Sequence, residues 1–156
     1  MLNTIWYRRR LIAWLLYPLS WLFRCIAYFR RCYLIKYVAP KVAFSVPIIV
    51  VGNISVGGVG KTPLVACLVN ELRRQGYHPG IVSRGYGGTA TQWPQVVTHA
   101  SDPTWVGDEP VLLVNKTQCP MVVGPDRVAA VTQLSTDFHC DVVISDDGLQ
   151  HYALPR

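Results

Sequence analysis

The chain has 156 residues, 51% of them hydrophobic, and a formal net charge of +6. That length corresponds to about one domain, able to hide roughly 70% of the surface an unfolded chain exposes, and so apolar a composition excludes a disordered chain. The charge is unevenly placed: residues 1–41 hold eight basic side chains and no acid, while the remainder holds seven bases and nine acids. A cationic, aromatic beginning is thus joined to a nearly neutral body, and the two are expected to act as separate segments, 1–41 and 42–156. The five cysteines (Cys25, Cys32, Cys67, Cys119, Cys140) show no paired CxxC spacing. Neither a zinc site nor a disulfide framework follows, and reduced thiols acting as small apolar side chains fit a cytosolic protein.

The first apolar run, "LIAWLLYPLSWLF" from Leu11 to Phe23, has thirteen residues without a charge. A helix that spans a bilayer needs about 20, and here Arg24 ends the run and Pro18 would kink it. A secretory signal shares the polarity of "RRR" followed by apolar residues, but no small-x-small cleavage site follows and the run is crowded with Trp and Tyr. A buried core helix is another plain reading. The one preferred is a helix, or a broken pair, lying in a membrane interface. Trp6, Tyr7, Trp14, Tyr17, Trp21, Tyr28 and Tyr33 are rings suited to the headgroup level, and arginines on both flanks suit anionic lipid. Leu22, Ile26, Phe29 and Tyr33 recur at helical spacing, with Arg24 and Arg31 on another face. Nucleic acid would also attract the arginines but has no need of so many leucines and tryptophans, so no nucleic-acid partner is expected.

Beyond Pro40 the texture changes. "PIIVVGN" (Pro47 to Asn53) predicts a short buried strand, followed by a glycine loop and a helix from about Thr62 to Gln75. Leu64, Leu68 and Leu72 give that helix an apolar stripe, with Val65 and Val69 beside it. Pro63 is tolerated in the first turn and Gly76 is a stop signal. "GIVSRG" predicts a second strand. The stretch from Tyr86 to Pro103 reads mainly as loop, with a possible short strand at Val96–Val97. A helix begins near Asp108, "MVVG" is a strand, "DRVAAVTQL" a helix, and "DVVIS" (Asp141 to Ser145) another strand. Apolar strands alternating with helices predict an α/β fold, a parallel sheet flanked by helices. The glycine loop, "SRGYGG" and "SDDGLQH" each follow a strand, which places all three at the carboxyl edge, where ligands bind in such sheets.

The loop itself is "SVGGVGKTP". The strict phosphate-loop pattern wants Gly, four free residues and Gly-Lys-Ser/Thr, and here Ser55 holds the leading position. Backbone amides from Ser55, Val56, Gly57, Gly58, Val59 and Gly60 would cradle phosphates. Lys61 would reach the β- and γ-phosphates, and the Thr62 hydroxyl would face Mg²⁺. The alternative is an ordinary glycine turn. Asp146 ends a buried strand as the metal-holding acid of such sites does, or else Asp146 and Asp147 simply bond a turn near Gly148. Asp108 and Glu109 fit catalysis, but helix capping explains both equally. Arg84 and Arg127 could grip phosphates, although Arg127 also reads as a solvated residue beside Asp126. His78, His99 and His139 read as surface residues, and His151 stands out only because it follows "DDGLQ".

"VVGNISVGGVGKTP", "VSRGYGG", "GDEPVLL", "GPDRVAA" and "SDDGLQHY" occur in an order and spacing that resemble the tetraacyldisaccharide 4′-kinases, the lipid A kinases of Gram-negative bacteria. The resemblance covers nearly the whole chain, and its leading loop position is commonly Ser or Thr. It implies a P-loop kinase core that takes ATP and Mg²⁺ and phosphorylates the 4′-hydroxyl of a tetraacylated glucosamine disaccharide 1-phosphate in lipopolysaccharide biosynthesis. It also implies a peripheral enzyme at the cytoplasmic face of the inner membrane, held there by an amino-terminal helix. On that basis Asp108 would be the base, with Lys61 and Asp147 in the catalytic set, while Thr62, Asp146 and Glu109 serve the metal. Arg84, Tyr86, Arg127 and His151 would meet the acceptor. Members of this family are roughly twice as long, the size of two lobes, so the 156 residues alone are expected to be nearly inactive. Two other readings share the loop. A membrane-positioning ATPase of the partitioning type carries an extra lysine where this chain has Val56, and a non-catalytic nucleotide-binding module would dock to membranes through the same leader.

Overall fold

The computed structural model describes residues 11–34, 36, 44–53 and 60–149, without the side chains of 11–15. The chain divides into two compact units, Met1–Ala39 and Pro40–Arg156.

In the first unit the described residues include one unbroken 23-residue helix, α1, from Leu11 to Tyr33. It passes through Pro18 in one piece, where the sequence left open a broken pair. A proline deletes one ladder hydrogen bond, which a run of leucines and aromatics with otherwise good helical character can absorb. Leu22, Ile26, Phe29 and Tyr33 are all exposed, and Arg30 and Arg31 in the last turn complement the helix dipole. Among the described residues no helix is long and apolar enough to cross a membrane. Trp6, Tyr7, the "RRR" run and Lys41 lie outside the described residues.

The second unit is built on a five-stranded sheet. Its strands are β1 (Ile48–Val51), β2 (Pro79–Ser83), β3 (Gln95–Val97), β4 (Met121–Val123) and β5 (Val142–Asp146), in the spatial order β1-β5-β2-β4-β3. Four strands are mutually parallel, with Ile49 opposite Ile144 and Ile81 opposite both Ile144 and Met121. The expected parallel sheet flanked by helices is there, and the edge strand β3, whose direction the sequence left open, runs antiparallel to β4. An edge strand needs only one partner and can be laid down in either direction.

The helices are α2 (Lys61–Arg74), the single turn α3 (Pro103–Val106), α4 (Asp108–Thr117) and α5 (Arg127–Asp137). Two hydrophobic clusters divide alternate strand residues between the faces of the sheet. Ile81, Met121, Val123 and Ile144 pack with Val65 and Val69 of α2 and Leu113 and Val114 of α4. Val82, Val122 and Val143 pack with Ala130, Val131 and Leu134 of α5. This is the period-two side-chain alternation of strands covered on both sides.

The buried line of α2 is Val65 and Val69, with Leu68 and Leu72 at its flank and Leu64 52% exposed. The leucine stripe is therefore displaced around the helix, because the i, i+4 pair that meets the sheet is the valine pair. Likewise only Cys119 and Cys140 behave as core side chains, whereas Cys25, Cys32 and Cys67 are exposed free thiols. His78, His99 and His139 are exposed, as the sequence suggested.

Candidate functional site

The strand order places β5 between β1 and β2, all three parallel. Their carboxyl ends are therefore side by side, and the segments after Val51, Ser83 and Asp146 converge on one rim. The junction is tight. Gly148 donates its N–H to the Val51 carbonyl at 3.2 Å, and a Cβ there would stand 2.5 Å from Ser145 Oγ. A Cβ on Gly52 would stand 2.3 Å from Leu149 Cγ. The glycines of "VGN" and "DDGL" thus let the two turns interlock.

Residues Ser55, Val56, Gly57, Gly58 and Val59 lie outside the described residues, as does His151. The part of the loop that is described is its exit: Gly60 at φ 74°, then Lys61 and Thr62 opening α2. Gly60, the N-cap, has no side chain to cap this helix start, so the first-turn amides of α2 are open to other acceptors. Lys61 Nζ lies 2.6 Å from Asp147 Oδ1. That hydrogen bond is the main cause of the raised pKa of Lys61, with Asp147, Asp146 and Glu109 adding their charge and slight burial opposing it.

Asp146 is 4% exposed and its Oδ1 has no hydrogen-bond partner among the described residues. Burial pushes its pKa up, Glu109 and Asp147 push the same way, and Lys61 and Arg127 oppose them. Behind it sits Arg127, which is 1% exposed and so is not the solvated residue the sequence allowed. Asp126 caps α5 by accepting from Val128 N and Ala129 N, and the next side chain turns inward beneath the rim. Arg127 Nη2 donates to the Asp146 carbonyl at 3.3 Å, while its Nε and Nη1 have no partner among the described residues. Burial brings its pKa down to about 10 against the charges of Asp146 and Asp147, so it stays a cation at neutral pH. A strand-loop-helix junction carrying "DR" was the only sequence signal for this placement.

Asp108 and Glu109 form the first turn of α4, and Asp108 Oδ1 accepts from Glu109 N at 3.0 Å. Both carboxylates are exposed. They serve the helix dipole as the plain reading has it, and Glu109 also lines the cavity at the rim. A cavity of 170 Å³ is lined by Arg84, Tyr86, Glu109, Asp146 and Asp147, together with Ser83 and Pro110. The structure therefore brings together most of the described residues singled out from the sequence. Arg127 lies behind the cavity wall against the Asp146 backbone, and Asp108, next to Glu109 in the chain, does not line it. A larger depression of 450 Å³ over α5, lined by Pro94, Ala129 and Gln133 among others, holds none of the motif residues and has no claim to the chemistry.

"SRGYGG" is shaped by backbone contact. Thr89 N and Ala90 N donate to the carbonyls of Thr104 and Trp105 at 3.0 and 3.1 Å. A Cβ on Gly88 would stand 2.3 Å from the Trp105 oxygen, and one on Gly107, at φ 97°, would stand 2.7 Å from the Tyr86 oxygen. This clamp fixes Tyr86 at the cavity mouth, 84% exposed. Among the described residues no group of three or more His, Cys, Asp or Glu side chains is gathered as a metal site.

Comparison with known proteins agrees with this geometry. The family profile described as tetraacyldisaccharide-1-P 4′-kinase matches residues 12–156. The tetraacyldisaccharide 4′-kinase of Coxiella burnetii (strain Dugway 5J108-111) is 55% identical over 152 residues, covering 97% of this chain and 47% of the relative. That of Shewanella baltica (strain OS155) is 50% identical over 156 residues, covering 100% and 46%. The chain spans about half the length of the curated relatives it matches. A solved structure, the "apo" form of LpxK from Aquifex aeolicus in complex with ATP, shares the fold at a TM-score of 0.76 and 33% identity, covering 90% of this chain and 45% of that one.

Proposed function

The chain belongs to the tetraacyldisaccharide-1-P 4′-kinase family, and from that premise we propose that the protein transfers the γ-phosphate of ATP to the 4′-hydroxyl of a tetraacylated disaccharide 1-phosphate. The observation that carries the reading is the meeting of Lys61, Asp147 and Asp146 at one rim beside the acids of α4. Phosphoryl transfer requires little covalent help from a protein beyond positioning and neutralisation of charge, and this rim offers both.

The first turn of α2 and Lys61 receive the triphosphate, with Lys61 exchanging Asp147 for phosphate oxygens. Mg²⁺ fits the donor set, because the buried Asp146 Oδ1, without a partner among the described residues, is an acceptor suited to a cation. Asp146, Glu109 and the Thr62 hydroxyl would hold it, and so short a set suits an ion normally bound by one or two carboxylates plus phosphates and water. When bound, Mg²⁺ supplies neutralisation of the phosphate charge. Asp108 takes the proton of the 4′-hydroxyl as the new O–P bond forms. The bond from the γ-phosphorus to the bridging oxygen breaks, and its electron pair leaves with ADP. Arg84 and Tyr86 meet the acceptor at the cavity mouth, while Arg127 acts from behind by holding the backbone of Asp146.

The exposed aromatic and cationic face of α1 supports docking at the inner-membrane surface, on its cytoplasmic side where ATP is available. Transfer of labelled phosphate from ATP to the disaccharide lipid by the intact protein tests the reading, with Lys61→Ala as the control that abolishes it. ADP formation at the same rate with and without acceptor, and no labelled lipid, would overturn it.

A further inference from the structure

We propose that Arg73 is a positioning residue for the transfer reaction, a tie that sets α2 and α4 in register so that their ligand-binding ends face each other correctly. The proposal rests on the functional reading above.

The two helices that supply the rim are arranged alike. Each begins at the site: α2 with Lys61 and Thr62, α4 with Asp108 and Glu109. Neither start has a side-chain cap from its N-cap residue, because both N-cap positions are glycines, Gly60 and Gly107. The starts are braced by other segments, α2 through the Lys61–Asp147 pair and α4 through the backbone clamp around Gly107. Their far ends are fastened to each other. Arg73, in the last turn of α2, donates from Nη1 to the Thr117 carbonyl and from Nη2 to the Gln118 carbonyl, the latter at 2.7 Å. Those are carbonyls at the C-terminus of α4, which the helix itself leaves without partners.

The same end is pinned from its other side. Gln118 adopts a left-handed conformation at φ 49° and donates its N–H to Val114 O. The Thr117 hydroxyl donates to Leu113 O at 2.7 Å, and Cys119 Sγ donates to Pro79 O at 2.7 Å, at the start of β2. Between the two ends, Val65 and Val69 share a core cluster with Leu113 and Val114. Apolar contacts of this kind hold helices together but tolerate sliding by a fraction of a turn. A guanidinium bonded to two successive carbonyls does not, since its donors are fixed in a plane. A 14-residue helix is about 20 Å long, so Arg73 acts on the rim only through the bodies of α2 and α4. It touches neither substrate nor nucleotide.

A shift of about 1 Å in the acids of α4 relative to Lys61 is enough to cost on the order of a hundredfold in a positioned reaction. Binding of the nucleotide draws mainly on α2 and its loop, with Glu109 entering through the metal, so it is far less sensitive to that shift than the transfer step. The test is Arg73→Ala and Arg73→Lys in the intact protein, assayed well below the melting temperature of each variant. Arg73→Ala is expected to lower kcat at least about tenfold while KM for ATP and the Kd of a non-hydrolysable ATP analogue stay within about twofold. Arg73→Lys, able to reach one carbonyl but not both, is expected to recover part of kcat. Amide hydrogen exchange provides a readout independent of turnover: Arg73→Ala should speed exchange at the first amides after Glu109 as well as at Gln118.

A kcat within about twofold of wild type in Arg73→Ala overturns the proposal. So does a loss of kcat matched by an equal loss of nucleotide affinity, or faster exchange confined to Gln118 and Cys119. If the wild-type protein makes no labelled lipid, the functional reading fails instead, and the exchange experiment still decides whether the tie reaches the rim.

Discussion

Lys61 and Asp147, 86 residues apart in the chain, are joined by an ion pair of 2.6 Å at the carboxyl edge of the sheet. The lysine that ends the glycine loop therefore has a partner before any phosphate arrives, and nucleotide must take it over. Both side chains remain partly in water, at 31% and 65% exposure, so the pair itself adds little to stability. Its consequence is competition. Asp147→Asn should tighten binding of a non-hydrolysable ATP analogue by a few-fold while slowing transfer, as measured by calorimetry beside a turnover assay. Weaker binding by the variant would show that Asp147 orders the loop rather than competing with phosphate.

Asp108 and nucleotide are expected to be separable. Asp108→Ala should reduce kcat by about two to four orders of magnitude, the usual worth of a positioned general base, with the Kd for the ATP analogue unchanged. Normal turnover in that variant would return Asp108 to the helix dipole and leave the base unassigned.

Asp146 makes stability depend on pH with a definite sign. Burial holds its carboxyl above the ordinary value of 3.8, so the folded chain binds this proton more tightly than the unfolded one. Its contribution is most favourable below 3.8 and declines as pH rises through the interval up to the folded value. Asp146→Asn should then melt higher than wild type at neutral pH in a chelating buffer. Added Mg²⁺ should raise the melting temperature of wild type and leave the variant where it was. A variant that melts at or below wild type under chelation contradicts the cost of burying this carboxylate.

The clamp between "SRGYGG" and the segment before α4 predicts a backbone clash. Gly88→Ala puts a Cβ within 2.3 Å of the Trp105 oxygen, and overpacking against backbone costs about 1–3 kcal/mol. Urea unfolding gives the cost, and acceptor KM should rise as Tyr86 is displaced from the mouth. Gly87 has open space around an added Cβ, so any cost of Gly87→Ala comes from its positive φ alone.

The displaced face of α2 can be measured as well. Val65 is fully buried and Leu64 half exposed, so Val65→Ala should cost about 2 kcal/mol and Leu64→Ala less than about 1, despite the larger side chain of leucine. The reverse order, by chemical denaturation, would restore the leucine stripe.

Much of this was legible from residue order. Strand positions came from short apolar runs such as "PIIVV" and "DVVIS", helix starts from Pro63, Asp108 and Asp126, and the shared rim from the fact that each polar motif follows a strand. Those are local signals, read over a few residues, and the chain honours them because backbone hydrogen bonding and side-chain alternation act over the same distance. The reversal of β3 was not legible, since three residues at a sheet edge carry no mark of direction. Nor was the choice of Val65 over Leu64, which depends on the angle at which α2 meets strands elsewhere in the chain.

The sequence by itself determined which residues are chemically able to serve: a lysine and threonine after glycines, two acids after a buried strand, two more before a helix. Only the tertiary structure decided which of them meet. It set Asp147 rather than Asp146 against Lys61, and turned Arg127 inward beneath Asp146. It also tied the far ends of α2 and α4 through Arg73. Each of these is a contact between distant segments, and its geometry follows from how β5 inserts between β1 and β2, which no local run of residues encodes.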